Sequence, residues 1–157
     1  LACHQIDQFL YFTGSTSATI VESQVGNVHF RQFPNLEDFG DLTIRSDKAT
    51  GYVRVDWLTP GGLGTWGDVR LFVLGTDGYM ELRKNIDIAG RPGANHLLLV
   101  DQESTRVIDC SDVALPYGAQ LIADVLNRTE TAMSQSHAFL ASELALVAQQ
   151  TATRLEI

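Results

Sequence analysis

Asp68-Val69-Arg70-Leu71-Phe72-Val73-Leu74, Gly75-Thr76-Asp77-Gly78 and Tyr79-Met80-Glu81-Leu82-Arg83-Lys84 follow one another without a break. Two alternating runs joined by a glycine-flanked tetrapeptide read as a β-hairpin. This stretch decides the fold because of what precedes it. Gly62-Leu63-Gly64-Thr65-Trp66-Gly67 matches G-x-G-x-x-G literally. A dinucleotide fingerprint needs a strand before it and a helix after it, so that the helix N-terminus meets the pyrophosphate. A strand follows here, so the cofactor reading is rejected. The remaining readings are a flexible strand connection, or a loop that presents the Trp66 indole to an apolar ligand face such as a sugar ring.

Outward from this hairpin the chain alternates strands and turns. Toward the N-terminus, Asp41–Ser46 and Tyr52–Leu58 predict another hairpin around Asp47–Gly51. Val53, Val55 and Trp57 face one way, and Tyr52, Arg54 and Asp56 the other. Phe33–Phe39 reads as a loop and Thr19–Phe30 as a strand. Toward the C-terminus, Leu97–Val100 and Arg106–Asp109 predict a third hairpin, after an irregular Asn85–Asn95.

Beyond Pro116 the period changes to that of helices. Leu121, Ile122, Val125 and Leu126 form one stripe, with Asp124 and Arg128 placed to pair across a turn. A last helix is expected from about Ser134 to Arg154, with Leu140, Leu144, Val147 and Thr151 at helical spacing. At the other end, Leu1–Ser15 reads as a helix already under way. No capping residue stands before it, Gly14 suits its C-terminal cap, and Ile6, Phe9 and Leu10 make its packing stripe. An uncapped helix carrying His4 and Asp7 predicts a missing upstream part. The fold class is therefore α+β: an open, mainly antiparallel sheet with helices on one face.

A chain of 157 residues is the size of one domain, long enough to fold without a disulfide or metal. Its net charge of −8, with the eleven basic residues scattered, argues against a nucleic-acid surface and equally disfavours an anionic membrane. No apolar run is long enough to span a bilayer. Cys3 and Cys110 do not make a disulfide framework and read as reduced thiols of a cytoplasmic protein.

His4 is the best chemical candidate, since an imidazole exchanges protons near neutrality; the alternative is a hydrogen-bonded structural histidine. Asp7 is either a ligand contact or a buried acceptor for a backbone or arginine donor. Cys3, His4 and Cys110 lack metal-ligand spacing, so no metal site is expected. His29, His96 and His137 are isolated and read as surface or loop. Asp68 and Arg70 share a strand face and read as an ion pair. Arg45, Arg54, Asp56, Arg70, Glu81 and Arg83 give a mixed-charge sheet face, either solvated or docked against a second subunit.

Three stretches together carry a family resemblance. His4-Gln5-Ile6-Asp7 is similar to the end of a D-x-x-x-H-x-x-D segment. Trp66-Gly67-Asp68-Val69-Arg70 with Gly75-Thr76-Asp77-Gly78 is similar to an aromatic-G-x-D-x-R … G-x-x-G strand and turn. Leu115–Arg154 is similar to a pair of closing helices. The chain resembles the C-terminal domain of the glucose–fructose oxidoreductase, inositol dehydrogenase and MocA-like family, a domain like that of dihydrodipicolinate reductase.

The resemblance implies a single C-terminal substrate-binding and oligomerisation domain over 1–157, with an N-terminal Rossmann domain absent from this chain. It implies oxidation or reduction of a sugar, polyol or related hydroxyl compound. NAD or NADP would be bound mainly by the absent domain, with no cofactor-binding residue here. His4 matches the family histidine that serves proton transfer. The family aspartate would stand one residue before Leu1, and no E-K-P lysine motif occurs. Thr65, Trp66 and Asp68 match the segment that contributes to family substrate pockets. The open sheet face implies a homo-oligomer. Two alternatives stand beside this: a non-catalytic oligomerisation or sugar-binding module, and glycoside cleavage through transient oxidation. On the main reading this piece alone does not turn over.

Overall fold

A computed structural model describes residues 1–156. The order is α1 (Ala2–Thr13), β1 (Thr19–Gly26), β2 (Phe39–Arg45), β3 (Thr50–Asp56), β4 (Arg70–Leu74), β5 (Gly78–Arg83), β6 (His96–Asp101), β7 (Thr105–Ile108), α2 (Tyr117–Asn127), α3 (Gln135–Thr151) and β8 (Thr153–Arg154). The α+β class holds. The expected single sheet does not: the strands divide into two four-stranded sheets, β3-β2-β1-β8 and β4-β5-β6-β7. They belong to two compact units, 1–58 with 116–157, and 59–115.

In the first unit, α1 and α3 pack on each other, α3 lies on β1 and α1 on β3. Ile6 and Leu10 of α1, Leu42, Ile44 and Val53 of the sheet, and Ala141, Leu144 and Ala148 of α3 form its buried core. The alanines let α3 approach closely, and Gly51 does the same for α1. A Cβ on Gly51 would stand 2.8 Å from the Phe9 ring. The helix ends as its sequence foretells, with Gly14 at φ 60° donating to the Leu10 and Tyr11 carbonyls. Lys48 Nζ reaches the Gly14 carbonyl at 2.5 Å, and Ser15 Oγ donates to Ser46 Oγ at 2.9 Å, tying this cap to the β2–β3 turn.

β1 stops at Gly26 rather than running to Phe30, and Asp38 is the reason. Fully buried, its carboxylate accepts the backbone N–H groups of Val28, His29 and Phe30 at 2.7, 2.9 and 2.8 Å. These donors curl the chain out of the ladder. Burial alone would raise the Asp38 pKa, but the three donors outweigh it and hold the carboxyl below its ordinary value. After α3 the chain does not stay helical to Arg154: Thr153 and Arg154 pair parallel to Gln24 and Val25.

Two expectations about α2 are corrected. Its stripe is not buried: Leu121, Ile122, Val125 and Leu126 are all exposed. Asp124 does not pair with Arg128, which instead caps the helix at φ 59°. The Asp124 carboxylate accepts from Ala132 N, Thr131 N and the Thr129 and Thr131 hydroxyls at 2.6–2.9 Å. The Ala132 N–H leads these donors, and together they hold Asp124 far below the usual carboxylate range. A buried acceptor thus shapes the α2–α3 corner.

In the second unit, β4 pairs β5 from Arg70↔Arg83 to Leu74↔Tyr79, and Gly75 N donates to Gly78 O across the expected turn. Gly78 is required for spacing, because a Cβ there would lie 2.5 Å from the Val100 carbonyl oxygen of β6. By register, Arg70, Phe72, Leu74, Tyr79, Glu81, Arg83, Leu98, Val100 and Val107 share one face. The face expected to be polar is only partly charged, at Arg70, Arg83 and Glu81. Phe72 and Val107 stand exposed in the row of Glu81, and Leu74 in the row beyond it.

Candidate functional site

α1 carries the candidate residues His4 and Asp7. Its buried stripe of Ile6 and Leu10 fixes the rotation of the helix, which leaves His4 exposed. Asp7, one turn later, lies on the same side and toward α3. The two helices run antiparallel: Asp7 meets the start of α3, while Ala2 and Cys3 share a cavity wall with Ala145 and Ala148 near its end. Asp7 Oδ1 stands 2.6 Å from His137 Nε2. Neither is fully exposed, with 35% and 22% of their side-chain surface accessible.

The expected backbone or arginine donor for Asp7 is therefore an imidazole, and His137, expected at the surface or in a loop, is half-buried in α3. Ser134 caps α3 by accepting the His137 N–H at 3.2 Å, which sets that histidine in the first turn. The cap was legible as a helix start. Its partner, 130 residues away, left no local pattern. His4, Asp7 and His137 are the acid–base side chains that α1 and α3 place on adjoining helical turns. Chemically, the group can exchange or orient a hydroxyl proton.

A cavity of about 330 Å³ opens at the N-terminal end of α1. Its floor is apolar, formed by Val25, Leu42, Val53 and Val55. The carboxylates at its edge are already committed: Glu37 to Gln149 and Arg154, Asp41 to Gln24 and Tyr52, Asp56 to Arg54. His4 and Asp7 do not line it.

Thr65, Trp66 and Asp68 belong to the second unit. Thr65 Oγ1 donates to the Gly67 carbonyl at 3.2 Å, folding the loop on itself. Trp66 is 79% exposed. Asp68 accepts from Arg70 Nε at 2.9 Å, the expected ion pair. Arg70 also approaches Glu81, which binds Arg83 at 2.6 Å, and Arg83 reaches Asp87 at 2.5 Å. The Ala89 N–H and then Arg83 hold Asp87 below its ordinary pKa. His96 is another correction: it is buried, with Nε2 3.1 Å from the Gly93 carbonyl oxygen. His29 lies edge-on to Phe30 in a turn, as a loop residue would.

The glycine run is not built as a nucleotide cradle. Gly61–Leu63 make a single short helical turn, Gly64 takes φ 72°, and the next element is strand β4. The loop leads into a strand and not into a helix, so it lacks the following helix N-terminus that a dinucleotide fingerprint needs.

Three solved structures, each a putative oxidoreductase, are similar to this chain. The chain is 46% identical to the one from Erwinia carotovora atroseptica SCRI1043, with a TM-score of 0.94, covering 98% of this chain and 46% of that one. The one from Thermotoga maritima is 19% identical at a TM-score of 0.80, over 96% of this chain and 42% of that one. The one from Klebsiella pneumoniae is 16% identical at 0.64, over 97% and 45%. The last two show the fold alone. This chain spans less than half the length of each. No family model and no curated protein matches it.

Proposed function

We propose that this chain is the substrate-binding and assembly domain of an NAD(P)-dependent oxidoreductase that acts on a sugar, polyol or related hydroxyl compound. The observation that carries this reading is the close match along nearly the whole chain to part of the Erwinia protein. It is joined by an exposed imidazole, His4, on a helix whose sequence resembles the catalytic segment of the sugar and inositol dehydrogenases.

On this reading a nucleotide bound by another part of the protein would supply the oxidising or reducing equivalent, since the glycine loop here leads into strand β4 and not into a helix. This chain's own residues do the rest. His4 exchanges or orients the proton of the reacting hydroxyl. Asp7 stands one turn away as a fixed acceptor. Trp66 offers an apolar face to a ring, and Thr65 and Asp68 shape the loop that carries it. The open face of β4–β7 assembles copies of the chain, and the protein works in the cytoplasm.

The test is a screen of aldoses and polyols with NAD+ and NADP+ on the full-length protein, followed by His4→Ala. The expected result is a fall in kcat of ~10²–10⁴, the range typical of a lost acid–base group. An unchanged kcat removes His4 from the chemistry.

A further inference from the structure

Asp7 and His137 meet across the α1–α3 seam at 2.6 Å, on elements set far apart in sequence. An ionised carboxylate only accepts hydrogen bonds, so the nitrogen that faces it carries the proton. In neutral His137 that selects the Nε2–H tautomer and leaves Nδ1 an acceptor. The placement is held from both sides. Ser134 fixes the first turn of α3 through the His137 N–H, and the core of Ile6, Leu10, Ala141 and Leu144 fixes the two helices against each other. Groups held on packed helices keep a tighter geometry than groups on loops.

A surface ion pair would be an insufficient description. Both partners are partly buried, and one of them lies a single turn from the exposed His4. A carboxylate side chain that could otherwise rotate is given one orientation by a directional donor.

We propose that His137 is a positioning residue: through Nε2–H it fixes the Asp7 carboxylate on the His4 side of α1, so that this acceptor keeps one orientation while the reaction proceeds. The proposal rests on the oxidoreductase reading above and adds a residue to it.

Two measurements on the full-length protein test it. Long-range ¹H–¹⁵N correlation spectra report the tautomer of His137 directly. Nε2–H is expected, and Asp7→Ala should relax that preference. An Nδ1–H tautomer in the wild type overturns the proposal. Kinetics then separate positioning from mere support. His137→Ala should lower kcat by up to ~10²-fold, the scale of a misplaced catalytic group, with little change in KM. His137→Gln, whose amide also donates a hydrogen bond, should restore most of that loss. Equal losses in Ala and Gln variants, tracking a lowered unfolding midpoint, would show a structural staple only and overturn the assignment; so would full activity in His137→Ala. If the wild type turns over no aldose or polyol with either nucleotide, the oxidoreductase reading is what fails. The tautomer measurement then still decides whether His137 holds Asp7.

Discussion

The first unit buries Ile6, Leu10, Leu42, Ile44, Val53, Ala141, Leu144 and Ala148. In the second, the buried residues among those described are Glu81, Asp87 and His96, all polar. The cause is layering. β1–β3 have α1 and α3 laid on them, so one sheet face is sealed by helices. β4–β7 have no α-helix within their own unit. Their leucines and valines are only partly covered, and ion pairs and turn bonds supply local order. A unit with a sealed core can hold His4, Asp7 and His137 in fixed positions. A sheet with an uncovered apolar edge and a charged end is suited to meeting something else.

The largest expected effect is in the sealed core. Leu10 is 1% exposed, and Leu10→Ala should cost ~2–5 kcal/mol of unfolding free energy, through lost transfer energy and a residual cavity. Urea denaturation of the full-length protein measures it. The half-covered Leu99 of β6 should cost clearly less when truncated in the same way. Equal costs would break the contrast between the units.

A second comparison turns on assembly instead of stability. Leu74 is 84% exposed and Phe72 57% exposed on the open sheet face. Leu74→Lys with Phe72→Lys should leave the unfolding midpoint nearly unchanged, since exposed substitutions usually shift stability by within about 0.5 kcal/mol. The same pair should dissociate the proposed oligomer in sedimentation velocity, because charge is introduced into an apolar contact. An assembly that survives both substitutions moves the interface off this face.

The elements legible in the sequence are those written in local signals. Gly75–Gly78 announces its hairpin, Gly14 ends α1, and Ser134 starts α3. What stayed hidden was non-local. Asp38 cuts β1 short by bonding to residues eight to ten positions upstream of it. Asp124 has an arginine at helical spacing, yet it turns to the Thr129–Ala132 backbone and hydroxyls, because a corner that needs acceptors outbids a solvated ion pair. The stripe of α2 has the period of a packed helix but is exposed, since periodicity states which side is apolar and not what covers it. The site divides in the same way. His4 and Asp7 were readable as neighbours on one helix, and the Asp68–Arg70 ion pair as residues two apart, although β4 begins only at Arg70 and Asp68 stands just before it. His137 was not readable, because no spacing links it to Asp7.

The smallest effect concerns the charged end of the second unit and its pH dependence. Asp87 is held below its ordinary value of 3.8 by the Ala89 N–H and by Arg83. A carboxyl whose folded pKa is lowered stabilises the fold fully above its unfolded value, and that contribution is lost as pH falls through the lowered folded value. Asp87→Asn removes the charge and keeps the shape. Its unfolding midpoint should therefore lie below the wild type at neutral pH, and the gap should close as pH drops below about 3.8. Added salt should narrow the gap only slightly, because Asp87 is buried and close pairs are poorly screened. A gap that stays constant down to pH 2 would mean that Asp87 acts through shape rather than charge. The second unit would then be ordered by its turns and strand pairs, and its lack of a buried apolar cluster would be what distinguishes it from the first.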